Sequence, residues 1–186
     1  MIEKELKKLI SKEKYEELID FFEISETIDQ TNFYYKDNEN VLKNNKINVR
    51  IREIEGNCML QVKFPVKDEK GLSISREYEE KIVNTPQSLE GEKLSKILNL
   101  KIKDAYLIGK LRTIRSNCQW DKETLICFDK SLYLDTCDYE IEIEFSGDKP
   151  NQDLLDVLSS RKISFEHKTK GKRSRFLSRL ATINVE

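Results

Sequence analysis

The chain predicts an α+β fold dominated by antiparallel strands, with a few helices between them. Three observations lead there. Apolar and polar residues alternate with a period of two through several segments, as strands with two different faces require. Gly56-Asn57 joins two such segments as a hairpin turn would. No internal repeat at solenoid or propeller spacing competes with this reading.

Taken in order, residues 1–9 read as a strand, and Ser11 is placed to cap an amphipathic helix running through Tyr15, Leu18, Ile19 and Phe22. Segments 30–36 and 46–55 read as extended, and the second turns at Gly56-Asn57 into 58–65, ending at Pro65. Further strands are expected at 72–83, 104–117, 124–134 and 137–146. Helices are expected near 87–98, 151–160 and 170–181.

With 186 residues, the chain is long enough for one well-filled core, and no linker-like stretch divides it, so a single domain over 1–186 is expected. Charged residues reach 36% against 38% hydrophobic, yet 33 bases nearly balance 34 acids. A net charge of −1 argues against a surface built throughout for nucleic acid, so any anion site must be local. No run approaches the roughly 20 apolar residues that cross a bilayer. The four cysteines lack C-x-x-C spacing and are expected to be reduced packing residues, in keeping with a cytoplasmic protein. A single histidine, His167, argues against a histidine zinc site or a Ser-His-Asp triad. Any metal is expected to be held by oxygens.

What alternates within the strands is the informative feature. Glu3, Glu5 and Lys7 share one face of the first strand, and Ile2 and Leu6 the other. Asp138, Glu140, Glu142 and Glu144 oppose Cys137, Tyr139, Ile141, Ile143 and Phe145. Arg50 and Arg52 oppose Val49 and Ile51, while Gln61 and Lys63 oppose Leu60 and Val62. Like charges two residues apart repel, so each cluster needs a partner. Two arrangements supply one. In the first, acidic and basic strands lie side by side on a solvated face as cross-strand ion pairs. In the second, the sheet closes, the carboxylates face inward to hold Mg²⁺ or Mn²⁺, and the bases hold phosphate oxygens.

Glu3-Lys4-Glu5-Leu6-Lys7 resembles the E-x-E-x-K strand of the CYTH, or triphosphate tunnel metalloenzyme, family. The order of later segments strengthens the resemblance: Asn48-Val49-Arg50-Ile51-Arg52, Leu60-Gln61-Val62-Lys63, Arg76-Glu77-Tyr78-Glu79, then Arg112 and Arg115, Asp129, and Glu140-Ile141-Glu142. It covers residues 2 to about 175, and the Asp-Tyr-Glu-Ile-Glu ending with Lys172-Arg173-Ser174-Arg175 is similar to the bacterial single-domain branch. The resemblance implies an eight-stranded antiparallel β-barrel, a tunnel with helices packed outside. It also implies metal-dependent hydrolysis of a triphosphate, inorganic triphosphate first and thiamine or nucleoside triphosphates after it. Some members make cyclic AMP instead, so an adenylate cyclase is the alternative, with a non-catalytic polyphosphate-binding module as a further one.

The roles implied are metal binding for Glu3, Glu5, Asp129, Glu140 and Glu142, and phosphate binding for Lys7, Arg50, Arg52, Lys63 and Arg115. Glu77 and Glu79 are taken as a further acidic pair for metal, although a one-residue slip would turn Arg76 inward instead. Glu144 is the two-residue alternative to Glu140 on the same face. Arg112 and Arg115, three apart, cannot both face inward, and Arg115 is preferred. In the basic run from Lys168 to Arg179, Lys170 or Lys172 is placed to reach the terminal phosphate. Glu3, Glu5, Lys7 and Arg52 are the candidates for the chemical step. The expected partner is a small molecule bearing a triphosphate, with no membrane and no nucleic acid beyond an RNA 5′-triphosphate end. Trp120 and Tyr133 are expected to pack rather than to stack on a base. Mutual repulsion inside such a barrel further predicts that Glu142→Gln leaves the fold intact or stabilises it.

Overall fold

The computed structural model describes residues 2–69, 72–167 and 169–183. The order is β1 (Ile2–Ile10), α1 (Lys12–Phe21), β2 (Glu26–Asp37), α2 (Val41–Asn44), β3 (Asn48–Ile54), β4 (Asn57–Glu69), β5 (Leu72–Ile82), β6 (Ser88–Leu89), α3 (Gly91–Leu98), β7 (Ala105–Gln119), β8 (Thr124–Tyr133), β9 (Thr136–Phe145), α4 (Gln152–Ser160) and α5 (Lys172–Ile183). Eight strands pair antiparallel in the order β2-β3-β4-β5-β1-β9-β8-β7, and β7 returns to β2 to close a barrel. Closure leaves no free edge within the ring, and β6 adds a short pairing outside it at Ala105 and Tyr106.

The barrel is inverted relative to a packed one, because its apolar face points outward and is covered by helices. On one side Leu6, Ile126, Phe128, Ile141 and Ile143 are buried beneath α1 and α4 through Leu18, Phe22, Leu154 and Leu158. On the other, Val49, Ile51, Leu60 and Val62 are buried beneath α2 and α3 through Leu42, Leu94 and Leu98. Burying such side chains is worth roughly 1.5–3 kcal/mol each, so the helices supply the main drive to hold the strands in place. Trp120 joins the first cluster as a packing residue against Phe22. A third cluster lies at one end: Tyr34, Leu111 and Tyr133 meet Phe176 of α5.

Caps and turns follow local chemistry. Ser11 accepts from Lys14 N at 3.2 Å and starts α1, and Asn151 accepts from Leu154 N at 3.1 Å and starts α4. Several boundaries differ from the sequence reading. The β3–β4 turn centres on Glu55 and Gly56, both at positive φ, and Asn57 already pairs with Ile54; a two-residue turn of this kind needs its glycine second. Pro65 does not end β4. The register slips between Pro65 and Lys67 and the ladder then resumes, which accommodates a residue with no N–H. The expected helix 87–98 begins instead as β6, with its helical part confined to Gly91–Leu98. The one-turn α2 is too short to leave a periodic signal, and it is held by Asp37, whose carboxylate accepts from Val41 N and Leu42 N. Among the described residues no helix is long and apolar enough to cross a membrane. Lys168, the first residue of the basic run, lies outside the described residues.

Gly109 is required by its surroundings. Its φ is +144°, and a Cβ there would sit 2.6 Å from Phe176 Cζ, so the glycine makes room for the ring that anchors α5. We expect Gly109→Ala to cost about 1–3 kcal/mol of stability through strain and overpacking, measured by denaturant unfolding. An alanine variant as stable as the wild type would mean that Phe176 does not bear on this position.

Candidate active site

The inward face of the barrel lines a cavity of about 1030 Å³. All the sequence-predicted site residues line it except Asp129 and Glu140, which share the inward face but are fully buried beneath Arg115, Lys172 and Arg175. Glu77 and Glu79 face the cavity and Arg76 does not, which settles the register left open by the sequence. Arg115 also lines it, whereas Arg112 is outside, donating from Nε to exposed Asp29 at 2.9 Å. Glu142 and Glu144 both reach the cavity, while Glu140 lies deeper on the same strand face.

The interior is divided into two kinds of wall. Around β1, β5, β7 and β9, acids and bases are interlocked. Lys63 bridges Glu3, Glu5 and Glu77, and Lys7 pairs with Glu5. Arg115 donates to Asp129 at 2.7 Å, to Glu144 at 2.9 Å and also to Glu142. Lys172 reaches Asp129 at 2.8 Å and Glu142 at 2.7 Å. These charges are therefore satisfied by one another.

The β2–β3 wall is different. Arg50 Nε donates to the amide oxygen of Gln61 at 2.8 Å, and Arg52 Nε to that of Asn32 at 3.1 Å. Among the described residues neither guanidinium has a carboxylate partner. Burial first, then neighbouring Arg50 and Arg115, push Arg52 down to about 9, the mark of a cation short of an anion. The amides Gln61, Asn32 and Asn48 that line this wall carried no signal in the sequence beyond their strand parity. Arg173 of α5 lines the cavity too, and its Nε is buried without a hydrogen-bond partner.

Protonation differs among the acids. Burial is the largest influence on all of them, and it would raise each one. For Glu142 it is outweighed by Lys172, Arg115 and Lys7, which hold the carboxyl well below its usual range, and Lys7 with Lys63 lowers that of Glu5. For Glu3 burial prevails, reinforced by the Glu5 carboxylate, and the group is raised. Glu140 is pushed up to about 7 by burial despite Lys172 and Arg175 nearby.

The CYTH domain model matches residues 1–175. The chain belongs to the CYTH family. Its fold is that of a candidate adenylyl cyclase from Hippeastrum described as having a dominant triphosphatase activity, with 22% identity, 95% of each chain covered and a TM-score of 0.76. A candidate adenylate cyclase from Bacillus halodurans is 27% identical, with 92% of this chain and 95% of that one covered and a TM-score of 0.70. The Mimivirus capping enzyme triphosphatase shares the fold at 12% identity, 87% coverage of each chain and a TM-score of 0.51. No curated protein matches. Proteins sharing this fold are thus described both as candidate adenylate cyclases and as triphosphatases.

The ion pairs in this CYTH tunnel reverse the expectation for Glu142→Gln. The acids are not left to repel one another, because bases lie between them, so neutralising Glu142 takes a carboxylate from Arg115 and Lys172. We expect this variant to lose about 1–3 kcal/mol at neutral pH. The sign with pH follows from the depressed group. Glu142 stabilises the fold above its unfolded value near 4.5, and that contribution is lost as pH falls through the lower folded value. Unfolding curves from pH 7 to pH 3 should therefore show a stability gap between wild type and variant that is constant down to about pH 5 and narrows progressively below about pH 4.5. Curves that stay parallel would remove Glu142 from this network.

Proposed function

We propose that this protein hydrolyses inorganic triphosphate in a divalent-metal-dependent reaction that releases orthophosphate. The observation that carries the reading is the pair Arg50 and Arg52, two guanidiniums facing the barrel cavity with only neutral amides as partners. A chain of phosphates supplies the anion they lack, and planar guanidinium suits phosphate oxygens in two-pronged contact.

The residues fit a hard cation by the chemistry of their donors. Cavity-lining carboxylates supply oxygens, and no histidine faces the cavity among the described residues. Among the described residues no three such groups stand together as a ready cage, since Lys7, Lys63, Arg115 and Lys172 hold them. Glu5 and Glu142, kept ionised by their surroundings, with Glu77 beside Lys63, are the carboxylates that would hold Mg²⁺ or Mn²⁺. When bound, the cation neutralises phosphate charge and acidifies a water.

The chain's own residues supply the rest. Arg50, Arg52 and Lys63 sit on paired strands and grip successive phosphates from one side, with Arg115 and Lys172 facing them. As charge shifts onto the terminal phosphoryl group, these fixed cations offset it without rearrangement. Glu3, whose raised carboxyl binds protons more readily than an exposed one, is suited to take the proton of the attacking water at Oε2, where Ser75 and Lys63 now bond.

With Mg²⁺ or Mn²⁺, purified protein should convert inorganic triphosphate to orthophosphate at least as efficiently as it does ATP, and chelation should abolish turnover. Pyrophosphate with cyclic AMP from ATP would make the protein a cyclase, the reading that the Bacillus halodurans neighbour favours. Tight binding without any turnover would make it a binding module. Arg52→Ala should lower kcat/KM by about ten- to a hundred-fold for either triphosphate, the value of one charge-assisted contact, and Arg52→Lys should recover only part of it. Equal kinetics for Arg52→Ala and wild type would remove that residue from phosphate binding.

A further inference from the structure

The first turn of α5 carries Lys172 and Arg173, two cations at the helix end where the backbone dipole disfavours positive charge. Their position is explained by what α5 docks on. Lys172, Arg175 and Arg179 fall at i, i+3 and i+7, one face of the helix, and each meets acids of the β8–β9 hairpin. Lys172 meets Asp129 and Glu142, Arg175 meets Asp138 and Glu140, and Arg179 meets Asp135 in the turn.

The middle rung differs from the outer two. Arg175 has only 8% of its side chain exposed and does not line the cavity. Its three nitrogens go three ways: Nε donates to Asp138 at 2.7 Å, Nη2 to Glu140, and Nη1 to the backbone carbonyl of Lys170. Asp138 is fixed in turn by the Tyr133 hydroxyl at 2.5 Å. Glu140, held by Arg175 on one side, lies 3.5 Å from the ammonium of Lys172 on the other. One guanidinium thus ties together a barrel strand, the segment that enters α5 and the carboxylate beside Lys172.

We propose that Arg175 is a positioning residue for the phosphate-binding end of the tunnel. Through the Lys170 carbonyl it sets where α5 begins, and through Glu140 it sets where the Lys172 ammonium stands. Arg173, next along the first turn, lines the cavity as well, but Arg175 makes no contact with it and acts on Lys172 alone. A planar fork can hold three acceptors in fixed directions, which an ammonium at the end of a flexible stem cannot. Docking alone does not demand Arg175, because Phe176 is fully buried against Tyr34 and Tyr133 and Arg179 pairs with Asp135 farther along. The proposal rests on the reading of the tunnel as a triphosphate site, and it adds a residue that touches neither substrate nor cation.

The test is a double-mutant cycle with inorganic triphosphate and Mg²⁺, reading kcat and KM for the folded fraction and melting temperature in parallel. Arg175→Gln should lower kcat/KM about tenfold or more, as displacement of a binding group does, with Arg175→Lys in between. In a Lys172→Ala background the same change should cost less than about threefold, because its effect runs through a group already removed. Arg179→Gln should lower the melting temperature and leave kcat and KM unchanged. Independent, multiplicative losses in the cycle would overturn the proposal, as would Arg175→Gln with a lower melting temperature and wild-type kinetics. Should Arg175→Gln not fold, Arg175→Lys enters the same cycle with the same two outcomes. A wild type that neither turns over nor binds inorganic triphosphate overturns the underlying reading, and the proposal with it.

Discussion

The alternation of side chains along each strand is the constraint from which the rest of this structure follows. Through the middle of β3, β4 and β9 one set of alternate residues is largely apolar and the other polar or charged, so closing the sheet must put one set inside. The charged set goes in. That choice is possible because helices cover the apolar set outside, and because acids and bases within the tunnel can pair with each other. A closed ring of charges of one sign would have no such solution. The mixed signs that make the composition look unremarkable, 33 bases against 34 acids, are thus sorted in space.

Sorting also gives the tunnel its asymmetry. Acids and bases interlock on the walls around β1, β5, β7 and β9, while on β3 two arginines face only amides. An anion entering such a space has two ways to bind. It can meet the unpaired guanidiniums directly, or it can draw lysines away from carboxylates that then become available to a cation. The second route links anion and cation binding, since each frees the other's partner.

Much of this was legible in the sequence, for a definite reason. Strand parity survives small errors in boundary, so Glu3, Glu5, Arg50, Arg52, Lys63 and Glu142 could be placed on common faces although strand ends were misjudged by several residues. The parity argument could not tell depth. It placed Asp129 and Glu140 on the inward face, where they are, but could not show that Arg115, Lys172 and Arg175 cover them from the cavity. Nor could it show the role of amides, since Gln61 and Asn32 are as common on solvated strands as in tunnels. The one-residue displacement at Glu55-Gly56 and the bulge at Pro65 were missed because both depend on how two strands meet, which neither strand encodes alone.

The place of β1 in the ring carries a consequence for synthesis. Its neighbours are β5 and β9, so one edge of the first strand waits for residues more than 130 positions later in the chain. At about 5–20 residues per second, translation leaves that edge open for roughly 7–30 seconds. An unpaired apolar strand exposed for so long would invite intermolecular pairing. Glu3, Glu5 and Lys7 interrupt it at every second position, the pattern by which charged gatekeepers discourage aggregation. The side chains that later face the cavity protect the nascent chain first.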